Sequence, residues 1–231
     1  MSQELPIITV VDDDDSVRRA LSRLLSASGY TVRTFASARE LLADPSPDPD
    51  SPGCLLLDVR MPELDGLELQ SILKGAGTGT AVVFMTGHGD VQTGVKAMKS
   101  GAVDFLLKPF SDEELLDAVN RALALDAETR AERRDLNELT RRAAKLTPRE
   151  REVGALVVTG RLNKQIAAAL GTSEKTIKVH RARVMAKMRA TSLADLVRMM
   201  EYLDRVRAVG SPGGSASPPP GGFSGDLRAT V

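Results

Sequence analysis

The sequence contains little cysteine and few aromatic residues. Its 231 residues include one cysteine, Cys54, five phenylalanines, two tyrosines and no tryptophan. A single thiol cannot close an internal disulfide, and the cysteine and the two histidines do not have the spacing of a zinc finger. The sequence therefore excludes the disulfide-stabilised and zinc-finger classes of small domain.

Long apolar segments are also missing. No apolar run is longer than Ala81–Met85, whereas a membrane-spanning helix needs about 20 such residues. The N-terminal residues 1–6 lack the basic segment followed by an apolar one that forms a secretory signal. Because 42% of the residues are hydrophobic, the chain can still bury sizeable cores. We expect a cytoplasmic protein with no membrane partner.

The formal net charge of zero is the sum of opposite net charges on the two halves of the chain. Residues 1–125 contain 11 Lys and Arg against 19 Asp and Glu, a net charge of −8. Residues 126–210 contain 19 Lys and Arg against 11 Asp and Glu, a net charge of +8. This pattern indicates two modules with different partners, the second either binding a polyanion or merely carrying a solvated basic surface.

Short runs of β-branched and aliphatic residues alternate with helix-like segments in residues 1–125. The predicted strands are Ile7–Val11, Thr31–Phe35, Cys54–Asp58, Ala81–Thr86 and Val103–Leu107. Three of them are almost wholly apolar, as strands buried on both faces are. We predict an α/β domain, a doubly wound five-stranded parallel sheet of the flavodoxin-like type. Ligands of such sheets bind beyond the carboxyl ends of the strands.

A helical connector and a smaller all-α domain are predicted to follow. No Gly or Pro interrupts residues 126–145, which indicates a semi-rigid helical linker. A capping box, Thr147 with Glu150, opens the domain predicted over residues 146–208. Its four predicted helices cover residues 148–159, 163–170, 173–189 and 192–207. The proline-rich stretch Asp44–Gly53 is predicted as a surface loop, and residues 209–231 as a disordered tail rich in Gly, Pro and Ser.

Polar residues lie at the carboxyl ends of four predicted strands. They are Asp12, Asp13, Asp58, Thr86 and Lys108. Three carboxylates brought this close cannot all stay ionised without a cation, and their oxygens suit Mg²⁺. With a metal lowering the negative potential, one carboxylate can attack phosphorus while Lys108 neutralises the product oxygens and Thr86 donates a hydrogen bond. The pattern predicts phosphoryl chemistry at this edge of the sheet.

The first domain resembles the receiver domains of two-component response regulators. The resemblance is carried by Val11–Asp13, Leu57–Pro62, Met85–Gly87 and Leu107–Phe110. It implies that Asp58 accepts a phosphoryl group from a sensor histidine kinase. It also implies that Asp13, Asp58 and the backbone carbonyl of Arg60 bind Mg²⁺, while Asp12 assists through water.

Three further residues have roles that follow from the same resemblance. Thr86 and Lys108 are expected to contact the phosphoryl oxygens, and the Lys108–Pro109 bond is expected to be cis. Phe105 takes the position of a switch aromatic, which swings inward as Thr86 moves toward the phosphate. From the residues alone, ordinary sheet packing is the simpler role for Phe105.

A phosphatase of the haloacid-dehalogenase type is the alternative for these residues. Such enzymes also form an aspartyl phosphate on a doubly wound sheet, and Asp12-Asp13-Asp14 loosely fits their Asp-x-Asp pattern. That scheme gives Asp58 no role, and the further acidic pair that it needs is missing because the chain turns helical after Lys108. We therefore expect a protein that accepts a phosphoryl group on itself and is not an enzyme with a separate substrate.

The predicted helix 173–189 has an apolar stripe opposite an arc of small and cationic residues. At helical periodicity, Ile177, Val184 and Met188 face the core. The opposite arc carries Lys175, Lys178, Val179, Ala182 and Arg183. Small side chains allow close approach to a major groove, and Lys and Arg reach guanine edges or phosphates. The predicted phosphate contacts are Lys164, Arg181 and Arg189.

Residues 162–189 resemble a helix-turn-helix of the LuxR type. The carrying stretches are Leu146–Val153, Asn163–Ala167 and Ser173–His180. Together the two resemblances cover about residues 5–200 and are closest to the NarL/FixJ response regulators. They imply a transcription regulator that binds duplex promoter DNA under the control of phosphorylation, as a homodimer when phosphorylated, with RNA polymerase as a further partner.

An output domain that binds RNA or protein is the rival interpretation of the basic half. Single-stranded RNA recognition usually relies on aromatic side chains that stack on bases. Tyr202 is the only aromatic residue of the predicted second domain. The composition therefore favours duplex DNA.

Overall fold

The computed structural model describes residues 5–44, 51–87 and 91–210. The strands in these ranges are β1 (Ile7–Val11), β2 (Thr31–Phe35), β3 (Gly53–Asp58), β4 (Ala81–Thr86) and β5 (Asp104–Leu107). The helices that alternate with them are α1 (Asp15–Ala27), α2 (Ala38–Ala43), α3 (Gly66–Gly75), α4 (Val91–Lys99) and α5 (Asp112–Ala144). The helices that follow are α6 (Pro148–Val158), α7 (Asn163–Ala169), α8 (Glu174–Met188) and α9 (Leu193–Gly210).

The strands form one parallel sheet in the order β2-β1-β3-β4-β5. Its register pairs Asp58 with Met85 and Thr86 with Leu107, so the carboxyl ends of β3, β4 and β5 lie side by side. The predicted doubly wound α/β fold with a helical C-terminal region is confirmed. β3 and β5 each begin within one residue of the predicted position, at Gly53 and Asp104.

Helices cover both faces of the sheet because successive strand residues alternate between two buried clusters. Val10 and Leu56 belong to the cluster that includes residues of α1 and α5. Val11 and Leu57 belong to the cluster that includes residues of α2, α3 and α4. Truncating one such side chain, as in Leu56→Ala, leaves a cavity and costs about 2–5 kcal/mol. This packing holds the strand ends, and the residues that follow them, in fixed positions.

Two compact units divide the chain, and the boundary falls inside α5 between Arg134 and Asp135. In the second unit, Leu139 and Ala143 of α5 join a buried cluster with residues of α6 to α9. The capping box at the start of α6 is present. The Glu150 N–H donates to Thr147 Oγ1 at 3.2 Å, and the Thr147 N–H donates to Glu150 Oε2 at 2.8 Å. The domain bounds predicted at residues 125, 145 and 208 stay predictions.

Parts of two sequence predictions lie outside the described residues. These are the middle of the predicted loop, residues 45–50, and the predicted disordered tail from residue 211 onward. α9 ends at Gly210 rather than at the predicted residue 207. Among the helices that the structure describes, none combines the length and the apolar character that a membrane crossing requires.

Candidate functional site

Three buried polar residues lie at the carboxyl edge of the sheet. Asp12 directly follows β1, while Asp58 and Thr86 are the last residues of β3 and β4. Their exposed fractions are 1%, 6% and 2%, respectively. The parallel register brings these strand ends to one edge, as the sequence predicts for a doubly wound sheet.

Lys108 joins these residues from the end of β5. Its Nζ lies 2.5 Å from Asp12 Oδ2 and 2.6 Å from Asp58 Oδ1. Its backbone N–H donates to the Thr86 carbonyl at 2.7 Å, and the Lys108–Pro109 bond is cis, as the receiver resemblance implies. The ammonium therefore bridges carboxylates that are far apart in sequence.

The electrostatics of the site follow from this burial. Removal from water raises the pKa of Asp58, and the hydrogen bond from Lys108 offsets this only in part. Burial by itself would lower the pKa of Lys108, but its hydrogen bonds to Asp12 and Asp58 outweigh that effect and raise the pKa. The site places two carboxylates against one ammonium, and a further cation would balance the remaining negative charge.

The predicted metal ligands are only partly brought together. Asp13 is exposed next to the buried Asp12, and the exposed Arg60 donates its N–H to Asp58 Oδ2 at 2.8 Å. Across residues 5–44, 51–87 and 91–210, no three Asp, Glu, His or Cys side chains converge closely enough to hold a metal ion. Lys108 instead lies between Asp12 and Asp58. The predicted ligands offer only carboxylate and carbonyl oxygens, and oxygen ligands fit a hard cation such as Mg²⁺.

Phe105 lies in β5, three residues before Lys108. Its ring is half-buried and packs against the cluster that includes residues of α2, α3 and α4. A Cβ atom built on Gly94 of α4 would lie 3.4 Å from the ring. The ring is therefore in contact range of the α4 backbone, a position compatible with both sheet packing and a switch.

The second unit presents the arc predicted to face DNA. Ile177, Val184 and Met188 of α8 are buried, as the helical spacing predicts. The exposed residues of α8 include Lys175, Lys178, Val179, Ala182 and Arg183. Burial of one stripe thus leaves small and cationic side chains together on the opposite side.

The three predicted phosphate contacts have different surroundings. Lys164 is exposed on α7. Arg181 is half-buried and donates to Asn163 Oδ1 at 3.4 Å. Arg189 is exposed beyond the end of α8, in a left-handed conformation with φ 56°, and its Nη1 lies 3.8 Å from Glu138 Oε1. Their contacts with nucleic acid stay predictions.

Two ion pairs involve residues of α8, and neither is among the sequence-based predictions. Lys178 lies 3.6 Å from Glu174, an i,i+4 spacing that inspection of the helix could have found. Lys187 Nζ lies 2.6 Å from Glu150 Oε2, a tertiary contact with no local signal. The hydrogen bond from Lys187, with that from the Thr147 N–H, lowers the pKa of Glu150 to about 2.

Comparison with known families finds two matches that together cover most of the chain. Residues 8–120 match the response regulator receiver domain, and residues 144–200 match the bacterial regulatory proteins of the luxR family. The first match contains the Asp12, Asp58, Thr86 and Lys108 site. The second contains all of α8.

Relatives align with both units. The chain is 50% identical over 197 residues to nodulation protein W of Bradyrhizobium diazoefficiens, covering 85% of this chain and 86% of that protein. It is 46% identical over 199 residues to the transcriptional regulatory protein FixJ of Azorhizobium caulinodans, covering 86% and 93%. Among solved structures, that of the response regulator StyR is similar with a TM-score of 0.76 and 45% identity, covering 86% of this chain and 99% of that chain.

Proposed function

Since the chain belongs to the two-component response regulators that join a receiver domain to a LuxR-type DNA-binding domain and regulate transcription, we propose that Asp58 is its phosphoacceptor. The phosphoryl donor is a sensor histidine kinase, and the phosphoryl group controls binding of α8 to promoter DNA. The observation that carries the proposal is the buried Asp58 carboxylate, 2.6 Å from Lys108 Nζ at the carboxyl edge of the sheet.

The proposed step is nucleophilic attack by a carboxylate oxygen of Asp58 on phosphorus. The bond between phosphorus and the donor nitrogen breaks, its electron pair leaves with the imidazole, and an acyl phosphate remains on Asp58. Lys108, already bonded to Asp58, neutralises the phosphoryl oxygens, and the Thr86 hydroxyl donates a hydrogen bond to one of them. The positions of all three residues at adjacent strand ends support these roles.

Receiver domains generally bind Mg²⁺ at the phosphorylation site. In this chain Asp13, Asp58 and the Arg60 carbonyl would hold the ion, with Asp12 acting through water. When bound, the ion supplies positive charge that lets an anionic phosphoryl donor approach the carboxylates. The oxygen-only donor set and the excess of carboxylate over ammonium charge support this assignment.

The proposed output is sequence-specific binding to duplex DNA. Lys175, Lys178, Val179, Ala182 and Arg183 form the groove-facing arc of α8, and Lys164, Arg181 and Arg189 contact phosphates. Phosphorylation shifts the population through Thr86 and Phe105 toward a form that dimerises, and two output domains then bind neighbouring half-sites. A promoter-bound dimer is placed to contact RNA polymerase.

Phosphoryl uptake tests the first half of this proposal. Incubation with acetyl phosphate and Mg²⁺ should add one phosphoryl group to the wild-type chain, and peptide mass spectrometry should locate it on Asp58. Asp58→Asn should abolish the adduct, because an amide is not a nucleophile toward phosphorus. Asp117→Asn, which changes an exposed aspartate of α5, is the matched control and should be labelled normally. An adduct on Asp12 instead would favour the phosphatase-type alternative.

Gel shifts on promoter fragments, with and without acetyl phosphate, test the second half. Phosphorylation should increase binding to duplex DNA in the wild type and have no effect in Asp58→Asn. A single-stranded RNA of the same length, added as a competitor, tests the alternative in which the second domain binds RNA. Preferential binding of the RNA would contradict the DNA assignment.

A further inference from the structure

α8 has one acidic residue among its cations, Glu174. It is the first residue of the helix, and its carboxylate lies 3.6 Å from Lys178 Nζ. Both side chains are exposed, 49% for Glu174 and 65% for Lys178. Glu174 lies one helical turn before Lys178, so the acid stands at the edge of the arc proposed to face DNA, beside Lys178. A carboxylate there opposes the negative charge of the phosphates.

We propose that Glu174 is a specificity-determining residue of the DNA interface. By pairing with Lys178, it makes tight binding depend on contacts with base edges rather than with the phosphate backbone. This inference rests on the proposed function, since it needs α8 to enter the major groove.

The first part of the effect concerns DNA of arbitrary sequence. A lysine ammonium is a point charge on a flexible stem, so a free Lys178 would bind any phosphate within reach. Each such contact releases counterions and strengthens binding without regard to sequence. With Glu174 alongside, the Lys178 charge is partly offset, and the carboxylate itself is repelled by phosphates. Glu174 therefore weakens non-specific binding.

The second part concerns the matching sequence. The first residues of a groove-binding helix contact base edges. Lysine donates to guanine O6 and N7, while a carboxylate accepts from the cytosine N4 amine. A site that places a guanine beside a cytosine therefore offers acceptors to Lys178 and a donor to Glu174 at the same time. We therefore expect Glu174 to favour a cytosine beside the guanine that Lys178 contacts.

Glu174 also lies where an acid stabilises the helix dipole. A role confined to the helix would change its stability but not its choice between DNA sequences. The two roles therefore differ in base preference and in salt dependence.

The test uses the full-length chain treated with acetyl phosphate and a library of duplexes with a randomised central segment. Wild type, Glu174→Gln and Glu152→Gln are each taken through selection, and their affinities are measured for the wild-type consensus and for a scrambled duplex. Glu152 is the matched control, because it is an exposed acid on a different helix, α6, and it also forms an ion pair, with Arg149 at 2.8 Å.

Glu174→Gln should bind the scrambled duplex about threefold more tightly at low salt, because Lys178 becomes available for one more phosphate. Its non-specific binding should become more salt-dependent by about one unit of slope in log K against log salt concentration. The selected consensus should lose its preference at one C·G pair. Glu152→Gln should match the wild type in all three measurements.

The outcomes separate this inference from the function on which it rests. If wild type enriches a sequence and Glu174→Gln enriches the same one with unchanged affinity ratio and slope, the inference is wrong and the DNA-binding function stands. If wild type enriches no sequence, both are wrong. Because Glu174 is exposed, circular dichroism spectra of the two variants should overlay that of the wild type.

Discussion

Asp58 illustrates at the scale of a single residue how reactivity and stability oppose each other. Its carboxylate is buried at the end of β3, and burial raises its pKa although Lys108 donates to it. A raised pKa means that the folded chain holds this proton more tightly than the unfolded chain does. At neutral pH the ionised Asp58 therefore lowers the free energy of unfolding, so the proposed nucleophile is retained at the expense of stability.

We predict that Asp58→Asn unfolds at a higher temperature than the wild type at pH 7. Asparagine removes the buried charge, and Lys108 keeps its bond to Asp12. The advantage should shrink as the pH falls toward 3.8, the ordinary pKa of an aspartate, because Asp58 is then increasingly protonated in both states. Thermal unfolding measured from pH 7 to pH 4 checks this, with a shift of about 2–4 °C for each kcal/mol. A variant that is less stable at pH 7 would show that the ionised carboxylate stabilises the fold.

Lys178 carries a second prediction at this scale. If its ammonium contacts a base edge, Lys178→Ala should weaken binding to the preferred duplex by about 1–3 kcal/mol and relax the preference at one position. Lys74→Ala, which removes the same charge from the exposed surface of α3, is the control. Fluorescence anisotropy titrations at several salt concentrations provide the measurement. A change in salt slope alone would assign Lys178 to the phosphate backbone instead.

At the scale of elements, α6 and α8 are joined by an ion pair that the capping box holds in place. Glu150 accepts from the Thr147 N–H at the start of α6 and pairs with Lys187 near the end of α8. These hydrogen bonds lower the pKa of Glu150 from 4.5 to about 2, and the one from Lys187 has the largest effect. The packing of α8 against α6 thus includes a contact with an ionised, buried carboxylate.

Glu150→Gln should therefore destabilise the second unit in a pH-dependent way. Glutamine keeps an acceptor for the Thr147 N–H but loses the charge that pairs with Lys187. The wild type should be more stable at pH 7, and the difference should disappear as the pH falls from 4.5 to about 2. Unfolding followed by far-ultraviolet circular dichroism measures it. Glu152→Gln, which removes an exposed ion pair of the same helix, should have a much smaller effect.

At the scale of the whole molecule, the proposed switch requires a surface that phosphorylation makes available for dimerisation. Val95 and Met98 of α4 and Leu107 of β5 are 46%, 49% and 52% exposed. α4 packs on β5, so these apolar side chains belong to neighbouring elements of the receiver unit. The receiver resemblance predicts the dimer surface on the fourth helix, the fifth strand and the fifth helix, which are α4, β5 and α5.

Sedimentation velocity before and after treatment with acetyl phosphate tests it. The wild type should shift toward the dimer, whereas Met98→Glu should stay monomeric although it is still phosphorylated, because a charge would be buried at the interface. Ile72→Glu places the same charge on a similarly exposed residue of α3, 45% exposed, and should dimerise normally. Dimers of Met98→Glu would move the interface to another surface.

Much of the fold and of the candidate site could be predicted because both depend on local pattern. The apolar runs predict the strands, and the polar residues that end them are expected to be neighbours because the strands of a doubly wound sheet are parallel. The exposed arc of α8 followed from helical spacing in the same way. The exposure of Asp13 and the placement of Lys108 between Asp12 and Asp58 could not be predicted, since each depends on side-chain positions set by the packing of separate elements.

The order of residues along the chain alone determined which side chains end the strands and which line each helix, because a strand repeats every two residues and a helix every 3.6. The tertiary structure alone decided the Lys187–Glu150 pair, the contact of Phe105 with α4 and the depth at which Asp58 lies. Such contacts join residues far apart in sequence, and their energies depend on distance and on removal from water, which no local pattern encodes.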